Sequence, residues 1–538
     1  MKNKGTVILR DMSKDYPSAK SFIGNMLKEN SVSKAMIAET LLVFEALIYK
    51  IFEQREDPEA GVSVSGFRRL GDSAIEITFD GGMFDPDPKN NSKLTPEDSI
   101  LRAYADKIDY SYRSGRNKIT ITTKRNHLVS VGVYAASLIL GIAAYALLHF
   151  AASEEIQYIV AYKFVFPMER LFLNAILMIA APVTFLSMLK HLTDTYIIAE
   201  STSNARRLHR NTISSSLVSV VLAVLVSHLL TNLFFSGSPF RGEYAHGEVD
   251  LDPETLIPSL LPSDIFTPFQ TVMPYALIIL AVLTTYAFCS VGKYFDRMKE
   301  TIDAAYVLFA RMLSLVMYAL PVCASCAIMD ELFSDGFAVL PYLAAVIAAA
   351  LASLIVLLGY YVVRLLAWGI RPLPYIRKMI PLLRENARIA SAFDAVPYNI
   401  RYCARVYGFD RKHLEKSLPV LAQINLDGNC FLITVIAMLY IAINSTPLSL
   451  GDTIAVGLLV LLLSLGAPNQ PGSCLLGLAI VMIFLQATDL ATIAMIAEVF
   501  FGGILNLINI VGDLVTVATE EIRESGSSDK LNGMIGSD

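Results

Sequence analysis

The chain has 538 residues, of which 54% are hydrophobic and only 17% charged, against about 45–50% and 25% in soluble globular proteins. That balance excludes a disordered chain, a disulfide-stapled mini-domain and an ordinary soluble enzyme. A net charge of -5 argues against a nucleic-acid partner, and six cysteines without zinc-ribbon spacing indicate no structural metal site.

Residues 1–126 are mixed and polar. Residues 38–52 read as a helix, with Leu41, Phe44 and Ile48 on one side, and residues 74–79 alternate Ile75, Ile77 and Phe79 as a strand does. The start, Met-Lys-Asn-Lys-Gly-Thr-Val, has no apolar core, so no signal peptide is expected and this domain should stay in the cytoplasm.

From Leu128 onward, apolar runs of membrane-spanning length follow one another. Six are read as spans: 128–152, 171–189, 212–235, 272–291, 304–329 and 339–368. Arg364, near the end of the sixth, is expected to snorkel to the interface. The pattern then becomes irregular. Residues 380–406 are patchily apolar around Arg388, Asp394 and Pro397. Residues 418–443 are interrupted by Asn425-Leu426-Asp427-Gly428-Asn429, and 453–486 by the kink from Gly466 through Pro468 to Ser473. Residues 493–519 hold Gly502, Gly503, Asn506, Asn509 and Asp513. Non-helical backbone at membrane depth is tolerated only where protein or water satisfies it. Two re-entrant hairpins and two polar-interrupted helices are therefore the pattern of a transporter site near the midplane.

Loop charges set the orientation. Basic residues lie before span one (Lys124, Arg125), between spans two and three (Arg206, Arg207, Arg210), between four and five (Lys293, Arg297, Lys299), and on both sides of 380–406. Acidic residues fill the opposite loops, from Glu243 to Glu254 and from Asp330 to Asp335. The alternation holds if 380–406 returns to the cytoplasm and 453–486 returns outside, which leaves both termini cytoplasmic and the protein multi-pass in the cell membrane.

Asp427 and Asp513 are the sharpest chemical signals. A carboxylate at a helix centre costs roughly 2.5–3.5 kcal/mol on insertion scales, so each should face the interior and meet a cation or a donor. Asn425, Asn429, Asn506 and Asn509 offer amide oxygens beside them, and Asn509 and Asp513 share a helix face. Such oxygens suit a hard cation; the alternative is an ion-free hydrogen-bond network. Ser214, Ser215, Ser216 and Ser219 in span three are equally suited to helix packing and to an ion role. Cys323 and Cys326 read as packing residues.

Residues from about 128 to 524 resemble the dicarboxylate/amino acid:cation symporter family, with its glutamate-transporter fold. Asn425-Leu426-Asp427-Gly428-Asn429 is similar to the family's Asn-Met-Asp-Gly-Thr, and Asn509-Ile510-Val511-Gly512-Asp513 to its Asn-Val-x-Gly-Asp. Gly466-Ala467-Pro468 resembles the second hairpin tip, and the segment from Ala390 to Pro397 stands at the first. The resemblance implies an α-helical membrane protein of eight transmembrane helices and two re-entrant hairpins, a homotrimer, and elevator motion of a transport domain past a scaffold. It implies sodium ligands at Asn425, Asp427, Asn509 and Asp513, and a solute site at Ser391, Asp394, Asn429, Gly466, Pro468, Gly502 and Asn506. The departures bear on the solute. Gly502 stands where the family places an Asp for the substrate amine, Leu505 where acidic-substrate members place an Arg, Asn506 where a Thr is usual, and Ser215 and Val218 at an ion-linked Tyr and Thr.

Residues from about 30 to 124 resemble the histidine-kinase-like ATPase fold in its anti-sigma-factor form, a small α+β sandwich. Gly81-Gly82-Met83-Phe84-Asp85-Pro86 and the hairpin 106–123 carry the likeness. Its nucleotide chemistry is eroded: Tyr49 replaces the metal-binding Asn, Phe79 the adenine-contacting Asp unless Asp80 serves, and Thr95-Pro96-Glu97 has no lid glycine.

The expected organisation is a degenerate cytoplasmic domain at 1–126, scaffold-rich helices at 127–370, a transport core at 371–524 and a flexible tail at 525–538. The expected function is no enzyme but a secondary transporter, coupled to sodium (or protons) without an organic cofactor. It would carry a small organic solute other than aspartate or glutamate, regulated by the first domain and its cytoplasmic protein partner. The alternative is a transporter-derived receptor that signals through that domain.

Overall fold

The computed structural model describes residues 3–55, 61–69, 72–84, 101, 108–113, 115–123, 127–201, 203–234, 261, 263–272, 274–389, 391–444, 449–466, 472–485, 487, 492–525 and 527–536. The chain divides into two units, one of Met1–Ser130 with Arg384–Ala390, the other of Val131–Leu383 with Ser391–Asp538.

In the first unit, strands β1 (Asn3–Leu9), β2 (Val62–Arg69), β3 (Asp72–Asp80), β4 (Ile108–Arg113) and β5 (Arg116–Thr123) form one antiparallel sheet in the order β1-β2-β3-β5-β4. Helices α1 (Met12–Glu29) and α2 (Lys34–Gln54) pack on it. Asp11 caps α1 by accepting from Ser13 N–H at 2.9 Å, and Ser33 caps α2 from Met36 N–H at 3.3 Å. The core joins Ile23, Leu27, Phe44, Leu47 and Ile48 to Val64, Ile75, Ile77, Ile119 and Ile121, so the period-two and helical patterns of the sequence meet at one interface.

The buried Asn117 shapes the turn after β3. Its Oδ1 accepts from Phe84 N–H at 3.0 Å and from Tyr110 Oη–H at 2.7 Å, and its Nδ2 donates to Gly82 O at 2.8 Å. Phe79 is buried edge-on against Phe84, and Tyr49 is exposed. Asp80 projects to the surface, 3.9 Å from Arg116, so the one-residue shift does not turn it inward. Asp85, Pro86 and the Thr95–Glu97 segment lie outside the described residues, as do Lys124, Arg125 and Asn126.

The second unit is helical. Its elements are α3 (His127–Ala151), whose first turn belongs to the first unit, α4 (Glu154–Val160), α5 (Phe166–Ser201), α6 (Ser203–Phe234), α7 (Thr267–Gln270) and α8 (Pro274–Cys289). Then come α9 (Phe295–Val316), α10 (Leu320–Asp335), α11 (Val339–Ala367), α12 (Pro372–Asn386), α13 (Ala392–Val406) and α14 (Arg411–Ile424). Last are α15 (Asp427–Asn444), α16 (Leu450–Gly466), α17 (Ser473–Phe484), α18 (Ile493–Ser525) and α19 (Asp529–Gly536). Among the described residues, six helical stretches are long and apolar enough to cross a membrane: His127–Ala151, Glu154–Asp194, Arg210–Leu233, Phe295–Ala367, Arg411–Ile443 and Ile493–Glu524. Pro274–Cys289, Leu450–Ser464 and Ser473–Phe484 are shorter apolar helices. The Phe295–Ala367 stretch contains α9, α10 and α11, and the two hairpins are α12 with α13 and α16 with α17, in keeping with the expected fold class.

Burial grades the helices. The best membrane window of Arg411–Ile443 is 100% buried and that of Ile493–Glu524 is 72% buried, against 22% for His127–Ala151. The two polar-marked helices thus form the centre, and the uniformly apolar ones the rim. Gly457 on α16 lets that helix touch α6, where a Cβ would meet Val224 at 2.8 Å and Val220 at 3.0 Å.

Three expectations need correction. Span 304–329 is two helices, α9 and α10, separated by a tight turn at Met317–Ala319. Pro321 opens α10, and its ring and missing N–H disfavour α-helical bonding to the preceding turn. The last helix, α18, is unbroken over 33 residues despite its glycines and asparagines, and the Asn509 side chain bonds to α15 rather than to its own backbone. The segment expected to be a flexible tail contains α19, with Leu531 and Ile535 buried. Asn532 holds it by donating to Gly369 O at 2.8 Å and accepting from Arg371 N–H at 3.0 Å, and Lys378 Nζ donates to Met534 O at 2.7 Å.

Candidate functional site

Helix α14 ends at Ile424 and α15 begins at Asp427, so the chain unwinds at Asn425 and Leu426. Asn425 takes a non-helical backbone conformation (φ -92°, ψ 80°) as the α14 cap. Both residues type and position explain the break: Asn competes well for backbone groups outside helices, and its side chain is used elsewhere. Asp427 then occupies the first turn of α15, where free N–H groups and the helix dipole favour negative charge.

Three hydroxyls surround Asp427. Ser215 Oγ donates to Oδ2 at 2.7 Å, Ser216 Oγ to Oδ1 at 2.8 Å, and Tyr361 Oη to Oδ2 at 3.3 Å. Arg364 Nη1 donates to Ser215 Oγ at 3.0 Å and places its charge one residue away from the carboxylate. Hydrogen bonds to a charged group contribute about 1.5–3 kcal/mol each. Three such bonds are of the same order as the roughly 2.5–3.5 kcal/mol insertion cost of a carboxylate, so the hydroxyls offset the burial of Asp427.

Asp513 and the asparagines complete the cluster. Asn425 Nδ2 donates to Asp513 Oδ1 at 2.9 Å. Asn509 Oδ1 accepts from Gly428 N–H at 2.9 Å, an amide of the α15 start with no partner inside its own helix, and Asn509 Nδ2 donates to Asn429 Oδ1 at 3.2 Å. Gly512 lies between the two carboxylates: a Cβ there would stand 2.9 Å from Tyr361 Oη, 3.0 Å from Asn425 Nδ2 and 3.4 Å from Asp427 Oδ2. Asn425 Oδ1 is buried and has no hydrogen-bond partner among the described residues. An acceptor in that condition costs about 1–3 kcal/mol. Carboxylate and amide oxygens around such a vacant acceptor form the donor set of a hard cation.

The four residues proposed for the cation are thus brought together, with Asn429 beside them. The solute set is dispersed. Ser391 is the α13 cap, accepting from Phe393 N–H at 3.2 Å, with Asp394 in the first turn. Gly466 is the last residue of α16, and Pro468 lies outside the described residues. Gly502 and Asn506 lie on α18, successive turns above Asn509. A cavity of about 20 Å³, lined by Thr184, Asn429, Ser464 and Ser473 among others, separates α5 from α15, α16 and α17. Its volume suits one water or bare ion.

Sequence reasoning missed three participants. Arg364 turns inward to Ser215 rather than only outward to the interface. Tyr361, fully buried, and Glu498, whose carboxylate accepts from Gly472 N–H at 2.9 Å and Leu475 N–H at 3.0 Å, were not singled out. A signal for the first two existed, since Tyr360, Tyr361 and Arg364 interrupt an otherwise apolar span at helical spacing. Ser215 and Ser216, left open between packing and ion roles, serve Asp427 directly.

A sequence model described as the sodium:dicarboxylate symporter family matches residues 134–520. C4-dicarboxylate transport protein 1 of Pseudomonas aeruginosa is 25% identical over 285 residues, covering 52% of this chain and 62% of that protein. The C4-dicarboxylate transport protein of Brucella anthropi is 25% identical over 394 residues, 68% of this chain and 84% of that protein. Excitatory amino acid transporter 4 of Mus musculus is 26% identical over 152 residues, 28% of this chain and 27% of that protein. The chain therefore spans less than two thirds of the length of the Pseudomonas relative. The family and these relatives are transporters, not enzymes. With the family match running through both hairpins and the whole Asp427–Asp513 cluster, the chain belongs to the sodium:dicarboxylate symporter family.

Proposed function

We propose that the protein is a secondary active transporter that couples entry of a small organic solute to a cation, sodium in the first instance, held by Asn425, Asp427, Asn509 and Asp513. The observation that carries this reading is the buried, unpartnered Asn425 Oδ1 beside Asp513 in a cluster of two carboxylates. A bound cation would satisfy it and balance the charge that Arg364 does not answer. Gly502 and Leu505, in place of an acid and a base, support a solute other than aspartate or glutamate. A homotrimer with elevator motion follows from the family, and the basic loops support cytoplasmic termini in the cell membrane. The first unit is read as a regulatory, protein-binding module, a reading that the exposed Tyr49 and the surface-paired Asp80 support.

The test is solute uptake into proteoliposomes under a sodium gradient, with choline and proton gradients as controls. Sodium-dependent uptake that is lost in Asp427→Ala and Asp513→Ala is expected. Equal uptake without any cation gradient would refute the coupling, and binding without net uptake would favour a receptor.

A further inference from the structure

The cluster on α6, α11, α15 and α18 holds two carboxylates and a single basic side chain. Residues 211–240 and 417–522 contain no Lys or Arg, and Arg364 is the one such residue of α11. It lies half-buried near the end of that helix, and its Nη1 donates to Ser215 Oγ on α6 at 3.0 Å. Among the described residues no carboxylate pairs with Arg364 directly, so its charge reaches Asp427 through that hydroxyl.

The serine is a relay. A hydroxyl has one proton to give and two lone pairs with which to accept. Ser215 gives its proton to Asp427 Oδ2 at 2.7 Å. Its lone pairs are then left for Arg364 Nη1 and for Tyr360 Oη, 3.3 Å away. Asp427 also accepts from Tyr361 on Oδ2 and from Ser216 on Oδ1. Both oxygens act as acceptors, the pattern of an ionised carboxylate, and three of about four lone-pair sites are taken. Asp513 is provided for differently. It accepts one hydrogen bond among the described residues, from Asn425 Nδ2 at 2.9 Å, and the other end of that amide, Oδ1, is buried without a partner. The guanidinium and the hydroxyls are therefore gathered at one carboxylate, and the open acceptor lies at the other.

We propose that Arg364 is the resident counter-ion of Asp427 and so limits this cluster to one exchangeable cation, taken at Asp513 and Asn425 Oδ1. This rests on the transport reading above and refines it: Asp513 meets the ion, and Asp427 holds the arginine and its hydroxyls. With one cation bound, two negative and two positive charges balance. A second cation at Asp427 would face the guanidinium, and like charges repel strongly where water does not screen them. Unlike a bound ion, the guanidinium can be neither released nor deprotonated. Arg364 is a positioning residue in this scheme and does not touch the transported cation.

The experiment follows unfolding of the full chain in detergent, in choline and across a sodium titration. The variants are Arg364→Gln, Arg364→Lys, Asp427→Asn, Asp513→Asn and the double variant Arg364→Gln/Asp427→Asn. In choline, the double variant is expected to be more stable than the two single losses together allow, because each single change strands a charge and the double change strands none. In sodium, the slope of stability against the logarithm of concentration counts the ions bound on folding. Arg364→Gln, which opens Asp427 to an ion, is expected to be steeper than wild type by about one ion, and Asp513→Asn shallower by about one. Arg364→Lys and the double variant should keep the wild-type slope. Asp427→Asn, with its guanidinium unanswered, should bind sodium about tenfold more weakly, and the double variant should recover most of that loss. A merely structural Arg364 would make the double variant the weakest of the set. Additive losses in choline, or an unchanged slope in Arg364→Gln, would overturn the proposal and leave the transport reading standing. If the single variants do not fold, a folded double variant is the same pairing in stronger form, and an unfolded one overturns it. Coupling in choline with no sodium response in wild type would count against the transport reading and the one-cation limit, and would leave the counter-ion role in place.

Discussion

Replacing Gly512 by Ala sets two effects of opposite sign against each other. Alanine is better than glycine in a helix interior by about 0.8–1.0 kcal/mol, so helix propensity alone would stabilise α18. The new Cβ, however, would meet Tyr361 Oη at 2.9 Å, Asn425 Nδ2 at 3.0 Å and Asp427 Oδ2 at 3.4 Å. Tyr361, Asn425 and Asp427 are all buried, so none can move aside without disturbing its own hydrogen bonds. Overpacking of this kind costs about 1–3 kcal/mol, and displacement of Tyr361 or Asn425 also breaks the bonds to Asp427 and Asp513. The net expected result is destabilisation by about 0–2 kcal/mol, the difference of those two ranges, with a larger loss in cation affinity. Thermal unfolding in detergent, titrated with sodium against choline, separates the two. A cation present at a hundred times its Kd stabilises by about 2.7 kcal/mol, and tenfold weaker binding removes nearly half of that. Gly359→Ala on α11, where among the described residues nothing beyond its own helix backbone and chain neighbours lies within 4 Å of the added carbon, is the control and should be neutral or stabilising. If Gly512→Ala is as stable as Gly359→Ala and responds to sodium as wild type does, the cluster does not depend on close approach at Gly512 and the packing argument is wrong.

Ser215→Ala with Ser216→Ala should remove two of the three hydroxyls on Asp427 and cost about 3–6 kcal/mol, at 1.5–3 per charged hydrogen bond; single variants with near wild-type stability and sodium response would contradict the assigned role. Asn117→Ala should remove the acceptor shared by Phe84 N–H and Tyr110 Oη–H and the donor to Gly82 O, leaving Phe84 N–H its bond to Tyr110 Oη at 3.0 Å, and hydrogen exchange should show residues 81–84 and 108–113 losing protection while α5 and α18 keep theirs. Asn532→Ala should expose the backbone of Gly369 and Arg371, detectable as faster exchange at 369–371; unchanged exchange would mean that α19 does not bind there. Ser13 holds Asp11, and the Asp11 and Arg10 amides hold Asp15, below the usual carboxylate range. Lowered values mean a contribution that is complete above the unfolded pKa of about 3.9 and is lost as pH falls through the folded values, so the first turn of α1 should lose exchange protection below about pH 4 while α2, capped by Ser33, does not.

Much of this site could be read from residue type alone. Asp427 and Asp513 are conspicuous because a carboxylate in an apolar run has few reasons to be there, and the Asn425–Asn429 interruption marked the true break between α14 and α15. The same logic overreached at α18, where Gly502, Asn506 and Asn509 suggested an interruption but the helix is continuous and Asn509 bonds across to α15. Arg364 was misread because a basic residue near a span end fits two physical descriptions, and only the position of Ser215 on another helix chooses between them. Glu498 was overlooked for a related reason: its partners are backbone amides of α17, which no pattern of side chains announces. The tail failed differently. Leu531 and Ile535 are apolar at helical spacing, but eight residues form a stable helix only when a docking surface exists, and that surface is the end of α11 and the start of α12.

The continuity of α18 has a mechanical consequence. Thirty-three residues at about 1.5 Å each make a rod about 50 Å long, longer than the hydrocarbon layer is thick, and Glu498 and Asp513 are about 22 Å apart along it. A continuous hydrogen-bonded helix moves largely as one piece. A displacement of the Glu498 end is therefore carried along the helix to Asp513 and to Glu520, which Arg207 pairs at 3.1 Å near the C-terminal end. Compliance in this half of the molecule falls to the partners of the rod, such as the unwound Asn425–Leu426 joint. In engineering terms α18 is the shaft, and the joints around it set which strokes are possible.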